Sequence, residues 1–475
     1  MKKSLILLSL SCVSFMCAQT TIVDEKFSKE NKPVGYVFLS KNDNLIVYKG
    51  KDLGGLAIGG EINNMYSYDE KGNKKSVIEN VGLFRCSVSS SESTIKTHDI
   101  SVSKFKPKVT FLNNGKFSTS YDYKDKNYGM DYFGTVNFND KYEFSVTNQK
   151  DKSYDIDFQK DDIKLEVTDI NTRKSQVITI QKPSIDRLVG ADFVEVEQKV
   201  GFNFYINDSE TFLVTKSISK DYTKTILYKT NYSPDGKILK ETTFELKLQN
   251  HVFLYSFNGG GNIDVTPNGK TRFRDDSSIN NFYEDKTNGD IYIYGLYGDQ
   301  MEKLNSAVKP LGYYVFKFDK TGKKIWETVN KMEDKHLNGS HSAHVLDLRF
   351  SEIKDNFCVS VGVNENKEYV AFGLIDKLSG NQTKTGLVVY HQKMNGGGFG
   401  GGFITQINEI EDVKELRGKN FDTHTMIAME IDPKISSYVK SLKPKNNLHF
   451  ASIFSDKGIW LIETDNKEYY KVTLF

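Results

Sequence analysis

Short runs in which apolar and polar residues alternate recur from one end of the chain to the other, separated by Gly, Asn and Asp. Successive side chains of a strand point to opposite faces, so a period of two predicts strands with one face buried. The pattern is clearest in Gly312-Tyr-Tyr-Val-Phe-Lys-Phe-Asp-Lys-Thr-Gly-Lys-Lys-Ile-Trp326 and in Glu368-Tyr-Val-Ala-Phe-Gly-Leu-Ile-Asp-Lys-Leu-Ser-Gly380. Each is a strand run that ends in a similar Asp-to-Gly turn. Related turns are Asp69-Glu-Lys-Gly72, Asn113-Asn-Gly115, Ser233-Pro-Asp-Gly236, Pro267-Asn-Gly269 and Ser455-Asp-Lys-Gly458. Glycine accepts the positive φ of such turns, and Asn or Asp braces its own backbone, so these are hairpin signals.

Repeated meanders of this kind predict an all-β fold, a β-propeller of about seven irregular four-stranded blades, with six or eight as alternatives. The blades are expected at 34–79, 83–138, 142–180, 202–248, 252–330, 344–390 and 403–475. Two stretches, 299–308 and 408–416, read as short helices. The apolar tail 469–475 reads as a strand that completes the ring, with a secretion-sorting strand as the alternative. No domain boundary interrupts 19–475, so that span is expected to be one domain.

Composition narrows the partners. The chain has 64 Lys and Arg against 62 Asp and Glu, with no long basic block, so the footprint of a nucleic-acid binder is missing. Lys2 and Lys3 precede an apolar stretch from Leu5 to Met16, too short for a spanning helix. This is the pattern of a signal peptide, 1–18, cut after Ala18, and it predicts a secreted or periplasmic protein. Cys17 offers lipid attachment as an alternative, but Ser14-Phe15-Met16 lacks the small residue expected before such a cysteine. No second long apolar stretch follows, so no membrane span is expected, and the mature chain is read as a monomer. Cys86 and Cys358 remain after cleavage. They offer one disulfide in an oxidising compartment, but each sits in an apolar strand run and reads as a packed small hydrophobe.

Asp319-Lys-Thr-Gly322 followed by Trp326 resembles the tryptophan-docking repeat of quinoprotein-type propellers, in which an Asp, a Thr-Gly turn and a Trp tie neighbouring blades. Lys384 stands where the next repeat would place Trp, and the chain has only 2 Trp, so quinone binding is not carried over. Ile58-Gly59-Gly60 with Tyr66 and Asp69 resembles one kelch repeat, and Ser455-Asp-Lys-Gly-Ile-Trp460 is similar to a shortened sialidase Asp-box. Together these resemble exported bacterial propeller repeat proteins. The resemblance implies architecture alone, since a shared fold is not a shared function.

The densest chemistry is Glu333, Asp334, His336, His341 and His344, which puts three of the chain's 8 histidines in one short stretch. Imidazoles brought together by a loop suit ligand contact, and metal binding is the sharper alternative. The spacing lacks His-Glu-x-x-His, and Asn338-Gly-Ser points to a turn, so His336, His341 and His344 are read as ligand-binding and no metal is assigned. The glycine runs 258–262 and 395–403 read as surface loops, and Asp264 to Thr271 departs from the P-loop pattern. Asp275-Asp276 reads as solvated surface. No Gly-x-Ser-x-Gly elbow is present, so no catalytic residue and no cofactor is assigned.

The reading that follows is an exported, non-enzymatic binding or scaffold protein. It would take a protein or glycan partner on inter-blade loops at 51–60, 299–310, 331–342 and 392–402. An exported hydrolase or lyase with its site near His336, His341 and His344 is the alternative, and a purely structural envelope protein is a second.

Overall fold

A computed structural model describes residues 19–26, 32–39, 44–50, 63–79, 85–88, 94–101, 104–113, 116–122, 137–138, 141–146, 162–169, 172, 174–184, 188, 190–196, 204–206, 210–254, 263–265, 271–273, 282–285, 287–299, 310–332, 345–364, 368–390, 408–409, 413–443, 448–465 and 469–475. The signal-peptide expectation, Cys17 included, lies outside them.

The fold is all-β and built from several small antiparallel sheets that follow one another along the chain. Four-stranded sheets occupy 32–78, 85–122, 137–180, 204–247 and 345–390, each with its strands in sequence order. The sheet at 252–331 has five strands, because Phe282–Glu284 pairs beside Val252–Leu254 on the same edge of Ile291–Gly298. The last sheet runs through 408–474 and takes in the N-terminal strand Thr20–Lys26, which pairs antiparallel with Tyr469–Leu474. A three-stranded sheet of Glu195–Val196, Thr271–Phe273 and Ile263–Val265 completes the set among the described residues.

These spans track the expected strand groups with three corrections. Ile263–Val265 and Thr271–Phe273, expected in the fifth group, pair with each other and, through Thr271–Phe273, with Glu195–Val196, so they form a separate sheet. Thr20–Lys26, expected in no group, joins the last sheet. Asn137–Phe138 pairs with Tyr142–Val146, so it opens the third sheet instead of ending the second.

The alternation seen in sequence is realised at sheet edges. Lys324–Lys331 has every second residue partly buried, while the central Ile291–Gly298 is buried on both faces. The core lies in the seams between consecutive sheets. Phe144, Leu165, Phe204 and Tyr232 join the third sheet to the fourth. Phe244 and Leu246 meet Phe316 and Phe318 across the next seam. Tyr313 and Val315 meet Phe357 and Val359 in the one after. The last seam brings Ile22, Trp460 and Val472 of the terminal sheet against Leu45, Val47 and Tyr68 of the first. Burying each such large side chain contributes about 1.5–3 kcal/mol, so sealing the seams is a main source of stability.

Four of the Asp-to-Gly turns seat a sheet on the outer strand of the one before. Gly380 has φ +74°, and a Cβ there would lie 2.7 Å from the Trp326 ring of the preceding sheet. Gly322 meets the Thr243 carbonyl and Gly236 the Thr179 carbonyl in the same manner. For the first sheet the preceding strand is Thr20–Lys26, and a Cβ on Gly72 would fall 2.6 Å from the Ile22 carbonyl oxygen.

Two helices follow one another in the terminal region, α1 at Thr423–Ile431 and α2 at Pro433–Ser441. Asp422 caps α1 by accepting from the Thr425 N–H, and Asp432 caps α2 by accepting from Lys434 N–H with Pro433 at its first turn. The helix expected at 408–416 is instead a two-residue strand, Asn408–Glu409, and one 3-10 turn, Lys414–Leu416. A run that short has no capping residue, whereas Asp422 and Asp432-Pro433 supply start signals further on. The helix expected at 299–308 falls, beyond Asp299, outside the described residues. Among the described residues no helix is long and apolar enough to cross a membrane.

Candidate functional site

His336, His341 and His344, with Glu333 and Asp334, lie outside the described residues, as do both glycine runs, Asp275-Asp276 and most of the expected loop face. What is described is the end of the fifth sheet from which the 333–344 link leaves. Gly312 pairs with Lys331 and with Tyr297, and Val252 pairs with Gly298, so these residues share one end of the sheet. At that end His251 Nδ1 lies 3.4 Å from Asp299 Oδ1, and its ring packs 4.7 Å from that of Tyr297. In the sequence His251 stands alone, with no acidic or imidazole neighbour to mark it. Its acidic neighbour comes from the far end of a different strand.

A second polar cluster is enclosed where α1 meets the sixth and terminal sheets. Asp422 accepts from Thr425 N–H at 2.7 Å and from Ser452 N–H at 3.3 Å. The hydroxyls of Thr425 and Ser452 bond to each other at 2.9 Å. His424 packs against the Phe454 ring at 4.8 Å, makes a main-chain hydrogen bond with Ser452, and leaves its Nε2 buried without a hydrogen-bond partner. Burial pushes the Asp422 carboxyl up to about 6, against the pull of its hydrogen bonds and of Arg349. Burial also pushes His424 down to about 4, and the Arg349 charge adds to this. Asp422, His424 and Ser452 meet here, but the hydrogen bond between His424 and Ser452 is to the main chain, and the Ser452 hydroxyl is bonded to that of Thr425. The arrangement holds an acid and a base in opposed states and anchors α1.

Beneath it, Lys419 is fully buried and donates to the carbonyls of Glu415 at 2.8 Å and Val439 at 2.6 Å, which ties the last turn of α2 to the preceding strand. Glu463 accepts from Tyr438 at 2.5 Å and also from Tyr469. Cys358 is a free, buried thiol pushed up to about 12 by desolvation, in keeping with its reading as a small hydrophobe. The Cys86 side chain lies outside the described set.

No family model and no curated protein matches the chain. Among solved structures, an uncharacterized protein of Listeria monocytogenes aligns at 12% identity over 74% of this chain and 81% of its own, with a TM-score of 0.32. A DUF4221 family member from Bacteroides vulgatus aligns at 12% identity over 76% and 97%, with a TM-score of 0.32. The WD40 domain of Toxoplasma gondii coronin aligns at 8% identity over 96% and 87%, with a TM-score of 0.30. Superpositions this loose assign no function to the chain.

Proposed function

We propose that the mature chain is an exported propeller of seven blades, the three-stranded sheet standing apart from them, closed by its N-terminal strand, that serves as a non-enzymatic binding platform for a protein or a glycan. The observation that carries this reading is the cyclic order of the seams. Gly236, Gly322 and Gly380 each sit on the sheet before their own, and Gly72 of the first sheet sits on Ile22 of the last. A scaffold packed in this way leaves the links between sheets free to vary, and function on such folds resides in those links. The binding end is then the one where His251 and Asp299 lie and from which the link carrying His336, His341 and His344 leaves.

The test uses the mature chain on a glycan array and a panel of envelope proteins, with a variant carrying His336→Ala, His341→Ala and His344→Ala. The reading predicts one defined partner whose capture is lost in the variant while the melting temperature is unchanged. Turnover of a captured glycan or peptide by the parent chain, abolished by His341→Ala, would establish the hydrolase or lyase alternative instead.

A further inference from the structure

A cleft of about 440 Å³ opens where the first sheet meets the terminal sheet, within the size range of roughly 300–1,000 Å³ typical of small-ligand sites. It straddles the last seam at the turn end of the sheets, away from the end described above. Its walls are the 69–75 turn of the first sheet, Asn44 before the next strand edge, and Lys457 from the 455–458 turn of the terminal sheet.

The charges in the cleft do not cancel. Lys71, Lys75 and Lys457 line it together with Asp69 and Glu70, three basic residues against two acidic ones. Both carboxylates are already engaged. Asp69 Oδ1 accepts from the N–H groups of Lys71 and Asn73 at 3.0 and 2.8 Å. Its Oδ2 accepts from Asn73 Nδ2 at 3.0 Å and pairs with Lys75 at 2.9 Å. Partial burial works to raise this carboxyl, but those donors outweigh it and hold it well below the usual carboxylate range. Glu70 pairs with Lys457 across the seam at 2.5 Å. Two groups retain capacity: the Lys71 ammonium, which has no acidic partner among the described residues, and the Asn73 side-chain oxygen, whose amide nitrogen is spent on Asp69.

We infer that this cleft binds a hydroxylated carboxylate, its carboxylate on Lys71 and a hydroxyl donating to Asn73 Oδ1. A uronic acid unit of a polysaccharide and a free sugar acid share that chemistry. A ligand held by the first sheet and bordered by Lys457 of the last favours the closed seam, so binding raises stability through linkage. The inference is separate from the proposed binding end, since it uses none of its residues.

The test reads Trp460, which donates from Nε1 to Ser455 Oγ at 3.0 Å, at the base of the turn that carries Lys457. Trp326→Phe leaves Trp460 as the one tryptophan of the chain. The mature variant is titrated with galacturonate, trigalacturonate, gluconate, galactose and acetate, and wild-type melting curves are taken with the same compounds. The expected result is a saturable Trp460 response and a raised melting temperature with galacturonate, at least about tenfold weaker with galactose and with acetate. Lys71→Glu, an exposed change, should weaken galacturonate by about tenfold or more while folding normally. Tighter binding of trigalacturonate than of galacturonate identifies a polysaccharide as the source; equal binding of gluconate identifies a free sugar acid. Galactose binding as well as galacturonate, an unchanged Lys71→Glu, or no response to any carboxylate in either assay overturns the inference.

Discussion

The acid and base enclosed at the start of α1 make the sharpest energetic prediction. His424 moves from 6.5 to about 4 on folding. Its folded pKa is depressed, so the unfolded chain takes the proton first and stability falls as pH drops from 6.5 through 4. At about 1.4 kcal/mol for each pH unit, the loss comes to about 3 kcal/mol. Asp422 moves from 3.8 to about 6. Here the folded chain takes the proton first, so stability rises as pH drops from 6 through 3.8, again by about 3 kcal/mol. In the wild type the two contributions oppose each other over nearly the same window. Single variants separate them. Asp422→Asn keeps an acceptor for the Thr425 N–H but removes the rising contribution. Its urea-unfolding free energy, relative to wild type, should therefore fall by about 2.5 kcal/mol between pH 7 and pH 4. His424→Gln should do the reverse and gain about 3 kcal/mol relative to wild type over that interval. If both difference curves are flat with pH, the two groups are not enclosed as described and the account of this cluster is wrong.

Other outcomes follow from single contacts. Gly380→Ala places a Cβ at positive φ against the Trp326 ring, and it should cost about 2–3 kcal/mol by chemical denaturation. In a Trp326→Ala background the same change should cost clearly less, because the clash is gone. Lys419→Ala leaves the Glu415 and Val439 carbonyls without their buried donor and should cost about 2–3 kcal/mol; a loss under about 0.5 would remove Lys419 from the anchoring of α2. Cys358, in a Cys86→Ser background of the mature chain, should resist a thiol reagent while folded and react once urea unfolds the protein. Prompt labelling in native buffer would contradict its burial.

Much of the architecture was legible because strands announce themselves locally. A period of two, closed by a turn with Gly at positive φ, was enough to place the sheets at 204–247 and 345–390 within a few residues. The docking role of Trp326 was legible too, through the Asp-Thr-Gly-Trp spacing, although its contact is with Gly380 of the next sheet and not with its own turn. The role of Thr20–Lys26 was not. Nothing in its sequence says that its partner strand is Tyr469–Leu474, because pairing between distant segments is set by tertiary packing and not by local pattern. The helices were missed at 423–441 for a different reason. In α1 the apolar face is hidden among Met426, Ile427 and Met429 in an all-round apolar run, α2 buries only Ile435 and Val439 in nine residues, and the legible signals were the caps Asp422 and Asp432. The enclosed cluster was illegible as a site, since Arg349, Asp422, His424 and Ser452 meet only through tertiary packing.

Closure by the N-terminal strand is the claim on which the platform reading rests, and a cross-link tests it most directly. Asp24 lies opposite Lys471 in the register of the two terminal strands. Cysteines placed at both positions, in a chain freed of Cys86 and Cys358, should form an intramolecular disulfide on mild oxidation. The product should run as a compact monomer on a non-reducing gel and unfold at higher urea than its reduced form. Failure to oxidise, or oxidation only to disulfide-linked dimers, would mean that the strand does not close its own chain, and the closed scaffold would have to be given up.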